Sequence, residues 1–324
     1  MRCDAFLLER DLTMSVGARE LPPAGPDDVL IRVEWAGLCG SDLHVMRTGD
    51  WVTSWPATLG HEIYGRVESG ALAAGTTVVA DSRIACGECA ACRSGRSQDC
   101  SDIQFVGEAC PGGFATHCVL PAASLHPVPD GVEGAIAVLA EPLAVTLHAL
   151  AQVDGIPERV ALLGHGPIGA LIHAELRRRF PDCAVDVADP IPLRASLARA
   201  WGAGCADTGG ELPHGSFDLV VDAAGYATSL ADAVALCRRD AQLVVVALSE
   251  REVALKPMDI VEKRLRITGV NAFRDELPDA IALISAEPWR YEPVVTDAIP
   301  LAELPERARR HLERPDAVKV LVRP

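Results

Sequence analysis

The segment that most restricts what this chain can fold into is "RVALLGHGPIGALIHAELRRRF", Arg159 to Phe180. An apolar run, Val160 to Leu163, leads straight into a glycine turn, and a helical pattern ending in basic residues follows. Gly164, Gly166 and Gly169 stand at G-x-G-x-x-G spacing, with Pro167 and Ile168 opening the helix. In a strand–turn–helix setting each glycine has a task. The first permits the turn, the second lets a diphosphate approach the backbone, and the third lets helix lie against strand. The N–H groups at the helix start then hold the anion. His165 inside the turn is unusual. The rhythm continues through "AVDVAD", "FDLVVDAAG" and "AQLVVVAL", apolar strands alternating with helical stretches, which implies a parallel, doubly wound α/β sheet. Asp189 ends the second strand, where a carboxylate accepts from the adenosine ribose hydroxyls and repels a 2′-phosphate. Arg194 follows as a further cofactor-binding candidate, but Pro190 to Leu193 put no basic residue directly at the ribose, so NAD is expected over NADP.

Ahead of this half lies "CGECAACRSGRSQDC", with Cys86, Cys89, Cys92 and Cys100 spaced C-x2-C-x2-C-x7-C. A lone C-x2-C is a redox signature, but a run of three at that spacing plus a fourth surrounds a tetrahedral cation. Four thiolates leave no open position, so this is a structural zinc that braces a lobe and does no chemistry. A catalytic zinc needs about three protein ligands and a free position. "CGSDLH" and "GHE" offer them: a soft thiolate at Cys39, an imidazole at His61, and Glu62 or a later carboxylate.

The formal charge of −15 over 324 residues repels phosphate backbones and anionic membranes, so neither nucleic acid nor a membrane is an expected partner. The N-terminus "MRCDAFLLERDL" has no signal-peptide core, and no apolar run reaches spanning length. Eleven cysteines then read as thiols and metal ligands of a cytoplasmic protein, not bridges. The length suits two domains.

Taken in order, "CGSDLH…GHE…CGECAACRSGRSQDC…GGFATHCVLP…EPLAVTLHA…GHGPIG" resembles the zinc-dependent medium-chain alcohol and polyol dehydrogenases over nearly the whole chain. The resemblance implies a GroES-like, β-rich catalytic domain over 1–143 and 287–324, carrying the zinc lobe at 86–100. A Rossmann NAD-binding domain would lie at 144–286. It carries the catalytic zinc ligands over to Cys39 and His61, makes Glu62 an exchangeable ligand or near neighbour, and gives Asp42 the role of orienting the imidazole. Glu141 in "EPLAVTLHAL" occupies the third ligand position, where the primary-alcohol branch has cysteine. A glutamate there resembles the polyol, threonine and butanediol dehydrogenases, whose substrates are secondary alcohols. Sequence leaves open whether Glu62 or Glu141 is the direct ligand, and Glu141 also reads as an acid favoured at a helix N-terminus.

The implied reaction is hydride transfer from a secondary alcohol of polyol, sugar or cyclitol type to NAD, with two zincs per chain. The proton would leave through Ser41, the nicotinamide ribose and His44 at the surface; a hydroxyl that donates and accepts and a group titrating near neutrality suit a relay. Trp51 and Trp55 are candidate walls for the substrate. L-threonine 3-dehydrogenase, a simple alkanol or butanediol dehydrogenase, and a non-catalytic zinc-braced dinucleotide-binding protein are the competing readings. Self-association into a dimer or tetramer is expected.

Overall fold

The computed structural model describes residues 1–204, 206–207 and 212–324. They form two units. One comprises Met1–Glu141, Arg274–Pro315 and Lys319–Pro324, the other Pro142–Phe273 with Asp316–Val318.

The first unit is built on an antiparallel meander that the C-terminal strand joins. Asp28–Leu38 pairs with Glu62–Gly70, which pairs with Thr77–Ala80 and that in turn with Leu125–Pro127. His117–Pro121 also pairs with Asp28–Leu38. On the other side Lys319–Arg323 lies antiparallel to Asp28–Leu38 and parallel to Val295–Pro300. Alternating burial along Asp28–Leu38, with Val29, Ile31 and Val33 inside, is the period-two signature of a strand with one packed face.

The second unit is a six-stranded sheet in which every neighbouring pair is parallel. Its order runs Ala206–Asp207, Ala184–Ala188, Arg159–Leu163, Phe217–Asp222, Cys237–Val245, Arg266–Gly269. Val160 and Leu162 face one apolar cluster with Ile172 and Leu176, while Ala161 and Leu163 face another with Val234 and Leu236. Each fully buried Leu or Val adds about 2 kcal/mol of burial free energy. A sheet covered on both faces therefore explains why these strands are apolar throughout and not alternating. The strand order reverses beside Arg159–Leu163, which places the glycine turn at a topological switch point, outside the strand's carboxyl end.

Three expectations need correction. The chain returns to the first unit at Arg274, not at 287. The helix Leu277–Ala286, read as part of the nucleotide domain, buries Leu277, Ile281 and Ile284 within the first unit, and the Arg83 guanidinium donates to the Arg274 carbonyl there at 2.7 Å. Near residue 240, where "SLADAVALCRR" reads as helical, the helix stops at Leu236 and strand begins at Cys237, with Asp240 taking a left-handed φ of 62°. Third, Gly134–Ala151 is helical stretch long and apolar enough to cross a membrane, which the sequence reading passed over; 72% of it is buried inside the fold and it carries Glu141.

Candidate active site and metal centres

Strand register assembles the first site. Gly37 pairs with Glu62, so the residue after one strand, Cys39, and the residue before the next, His61, meet at the same sheet end. Cys39 caps the helix Gly40–Thr48. The Cys39 sulfur, a His61 ring nitrogen and a Glu62 carboxylate oxygen all lie within 4.8 Å of one another. Asp42, in the first turn of that helix and 3% exposed, secures them. It accepts from the Cys39 N–H at 2.9 Å and the Gly60 N–H at 3.0 Å, and Oδ1 stands 3.6 Å from His61 Nδ1. Burial works against a charged His61, but the negative Asp42 and Cys39 beside it prevail and hold its proton affinity well above the ordinary value. One soft sulfur, one imidazole and one carboxylate make a three-ligand set of the kind a catalytic zinc takes.

The two carboxylates are sorted by their partners. Glu62 belongs to the three-atom cluster; Glu141 does not. Glu141, 5% exposed, accepts from the Ser82 hydroxyl at 2.6 Å. Burial, with the charge of Glu62 nearby, pushes its carboxyl up to about 7 against the attraction of His61. Glu62 is 1% exposed and forms an ion pair with Lys319, itself 0% exposed, whose Nζ also donates to the Leu38 carbonyl at 3.1 Å. Gly37 makes room for this pair, since a Cβ there would fall 1.8 Å from a Glu62 oxygen. Lys319, Ser82 and Gly37 escaped the sequence reading. For Lys319 a signal existed: it is flanked by valines in "AVKVLV" and is one of only three lysines among 30 basic residues.

Ser41 lies in the first turn of the Gly40–Thr48 helix, half-buried. His44 is not a freely exposed surface group as expected. Its side chain is 18% exposed and its ring stacks on Trp51 at 4.2 Å, with Asp50 3.8 Å from Nε2. Trp51 also walls a cavity of about 410 Å³ together with Thr53, Gln104, Phe105 and Glu108. Trp55 is not among its lining residues and packs near Gly49. Glu108, unremarked in the sequence, is close enough to feel the charges of His61 and Asp42; partial burial raises its carboxyl's pKa.

The four-cysteine loop closes as its spacing requires. The sulfurs of Cys86, Cys89, Cys92 and Cys100 all lie within 4.8 Å of one another. Backbone N–H groups of Cys86, Cys89, Cys92 and Asp102 point at these sulfurs. The Cys92 N–H and its neighbours draw Cys89 down to about 6, while desolvation and the adjacent thiols drive Cys92 up to about 12. Four sulfurs this close cannot all ionise without a cation among them, and a tetrahedral zinc fits.

In the second unit the glycine turn is held by Asp189. It accepts from the His165 N–H at 2.7 Å and the Ile191 N–H at 2.8 Å. Gly164 has φ 85°, and a Cβ on Gly169 would strike the Gly164 carbonyl at 2.0 Å, so both positions demand glycine. Pro167 and Ile168 open the helix Pro167–Arg179, capped by Gly166. Arg194 corrects an expectation. The intervening prolines do not keep it away, because the helix Pro192–Ala200 folds its guanidinium back to 3.8 Å from Asp189 and alongside Gly166. His165 turns inward, 0% exposed, bonding His173 at 3.1 Å and meeting Trp201 edge-on.

Comparison with known proteins adds to this geometry. The family described as "Alcohol dehydrogenase GroES-like domain" matches residues 25–130, and that described as "Zinc-binding dehydrogenase" matches residues 183–286. The chain is 31% identical to the D-altritol 5-dehydrogenase of Agrobacterium fabrum, covering 88% of this chain and 89% of that one. It is 29% identical to the sorbitol dehydrogenase of Bacillus subtilis, covering 99% and 97%. A Sinorhizobium meliloti protein described as a zinc-binding dehydrogenase, solved with NADP bound, superposes over 100% of both chains with a TM-score of 0.89 at 28% identity.

Proposed function

Because this chain belongs to the zinc-dependent medium-chain dehydrogenases, we propose that it interconverts a secondary alcohol of polyol, sugar or cyclitol type and its ketone, using zinc and a nicotinamide dinucleotide. The observation that carries this reading is the meeting of Cys39, His61 and Glu62 at neighbouring strand ends. When bound, zinc supplies Lewis-acid polarisation of the alcohol oxygen and nicotinamide supplies the hydride acceptor. Cys39, His61 and Glu62 would hold the metal, with Asp42 fixing the imidazole's orientation. Glu141 stays off the metal on Ser82, and its raised proton affinity lets it hold or release a proton near neutral pH. Ser41 would take up the substrate proton and pass it on, and His44, steadied by Trp51 and Asp50, would receive it.

NAD is the proposed dinucleotide, since Asp189 places a buried carboxylate at the end of the second strand. The two clusters support two zincs per chain. Exposed Met258, Val261 and Ile267, on and beside the edge strand Arg266–Gly269, support self-association. The absence of disulfides among the ten described cysteines supports a reducing compartment such as the cytoplasm.

The test is formation of reduced nicotinamide by zinc-replete protein with NAD or NADP and a panel of polyols, cyclitols, 2,3-butanediol and L-threonine. Turnover of polyols with a preference for NAD bears the reading out; turnover of threonine alone moves it to the amino-acid branch. Ser41→Ala should cut kcat about a hundredfold with zinc content unchanged. Full activity would remove Ser41 from the proton path.

A further inference from the structure

We infer that the alcohol oxidised here carries an ammonium group, and that Glu108 is the residue that recognises it. This rests on the dehydrogenase reading above and narrows its substrate class to amino alcohols, in first place amino polyols.

The cavity beside Trp51 is walled by aromatic faces, Trp51 and Phe105, by the polar Thr53 and Gln104, and by the Glu108 carboxylate. Gly107, the residue before Glu108, lies against Gly60, the residue before His61, since a Cβ on it would fall 3.2 Å from the Gly60 nitrogen. Glu108 is close enough to feel the charge of His61, so the cavity wall that carries Glu108 lies near the candidate metal cluster. The loop that carries Glu108 is fixed: the Thr53 N–H donates to the Glu108 carbonyl at 3.1 Å. Its carboxylate, by contrast, accepts no hydrogen bond and meets no ion-pair partner among the described residues. Arg19, on the neighbouring wall, commits its guanidinium to the Pro56 carbonyl at 3.0 Å and the Thr58 hydroxyl at 2.8 Å.

Charge balance then points to what is missing. Taken together, a divalent zinc and the Lys319 ammonium are balanced by the Cys39 thiolate and the Glu62 and Asp42 carboxylates, so this group leaves nothing to compensate Glu108. Asp42 is turned to His61, and Lys319 is taken by Glu62. Asp102, also on the cavity wall, adds a further negative charge. A half-buried carboxylate without a cation is unfavourable, and an ammonium on the substrate removes that cost while the aromatic faces accommodate its carbon skeleton. A neutral polyol supplies no such charge. L-threonine brings an ammonium but also a carboxylate that this acidic wall repels.

The experiment compares matched pairs that differ only in ammonium against hydroxyl, with zinc-replete enzyme and dinucleotide: 2-amino-2-deoxy-D-glucitol with D-glucitol, and 3-amino-2-butanol with 2,3-butanediol. The amino member of at least one pair should show a roughly ten- to hundredfold higher kcat/KM, as a charge-assisted contact provides. Glu108→Gln should bring that ratio to about one, and Glu108→Asp should restore part of it. Calorimetric binding of 2-amino-2-deoxy-D-glucitol to zinc-loaded protein without dinucleotide should weaken by a similar factor in Glu108→Gln. No preference in either pair, or a ratio untouched by Glu108→Gln, overturns the inference while leaving the dehydrogenase reading intact. If no alcohol of either kind is oxidised, the dehydrogenase reading fails, and the calorimetry alone then decides whether Glu108 pairs with the amine.

Discussion

The Lys319 ammonium and the Glu62 carboxylate form an ion pair sealed from solvent, at the point where the last strand of the chain lies against the strand ending in Leu38. Glu62 also belongs to the same small cluster as Cys39 and His61, so it has two suitors: a fixed internal cation and whatever cation the cluster binds. Neither arrangement is free of cost, because a buried charge must have one partner or the other.

Removing the lysine tests this competition. Lys319→Met should destabilise zinc-free protein by about 3 kcal/mol, since it strands Glu62 in the interior. With zinc bound the loss should shrink to about 1 kcal/mol, because Glu62 then has the metal. Denaturant unfolding with and without zinc measures both. Equal losses would mean that Glu62 does not reach the cation.

Cys92→Ser should lower the zinc content from two per chain to one by metal analysis. The melting temperature should fall by several degrees, because Cys100 is the one buried residue of the loop Cys86–Cys100 and apolar burial does little to hold it closed. Retention of both zincs would remove the four-cysteine loop from the metal sites.

Exchanging Asp189 for Ser together with Pro190→Arg should raise the NADP-to-NAD preference at least tenfold, measured as dissociation constants by fluorescence of the reduced dinucleotides. Arg194 already stands 3.8 Å from Asp189, so the single change Asp189→Ser should produce part of the shift alone. Indifference to both changes would mean that Asp189 does not meet the ribose.

His165 and His173 set an acid limit on stability. Desolvation, aided by Arg194, lowers His165 to about 4, and desolvation, aided by His165 and Arg177, lowers His173 to about 3. In the unfolded chain both return to about 6.5 and bind protons more readily. Stability is therefore full above about pH 6.5 and falls as the pH drops through the folded values, by on the order of 3 kcal/mol per histidine. His173→Leu should flatten unfolding free energy between pH 6 and roughly pH 4. An unchanged slope would show that the buried pair is not what titrates.

Much of the molecule was legible locally. The glycine motif and the cysteine loop act over a few residues, where spacing nearly dictates geometry: Gly169 cannot be anything larger beside the Gly164 carbonyl, and four sulfurs in so short a span must face one another. Asp42 was legible for the same reason, lying one helical turn from Cys39. The helix Leu277–Ala286 was assigned to the wrong unit because its apolar face fits a core equally well in either, and only its neighbours decide.

What the sequence by itself determined was therefore the supply of chemistry: a thiol, an imidazole, two acids, a glycine turn at the spacing that suits a diphosphate and four cysteines at the spacing that suits zinc. The tertiary structure alone decided how the acids divide. Pairing Gly37 with Glu62 and setting Lys319 alongside brought one carboxylate to the sulfur and imidazole, while Ser82 held the other back. It also left Glu108 facing a cavity with no cation. The physical reason is that charge compensation acts through space over a few ångströms, and residues 62 and 319 become neighbours only when strand register makes them so.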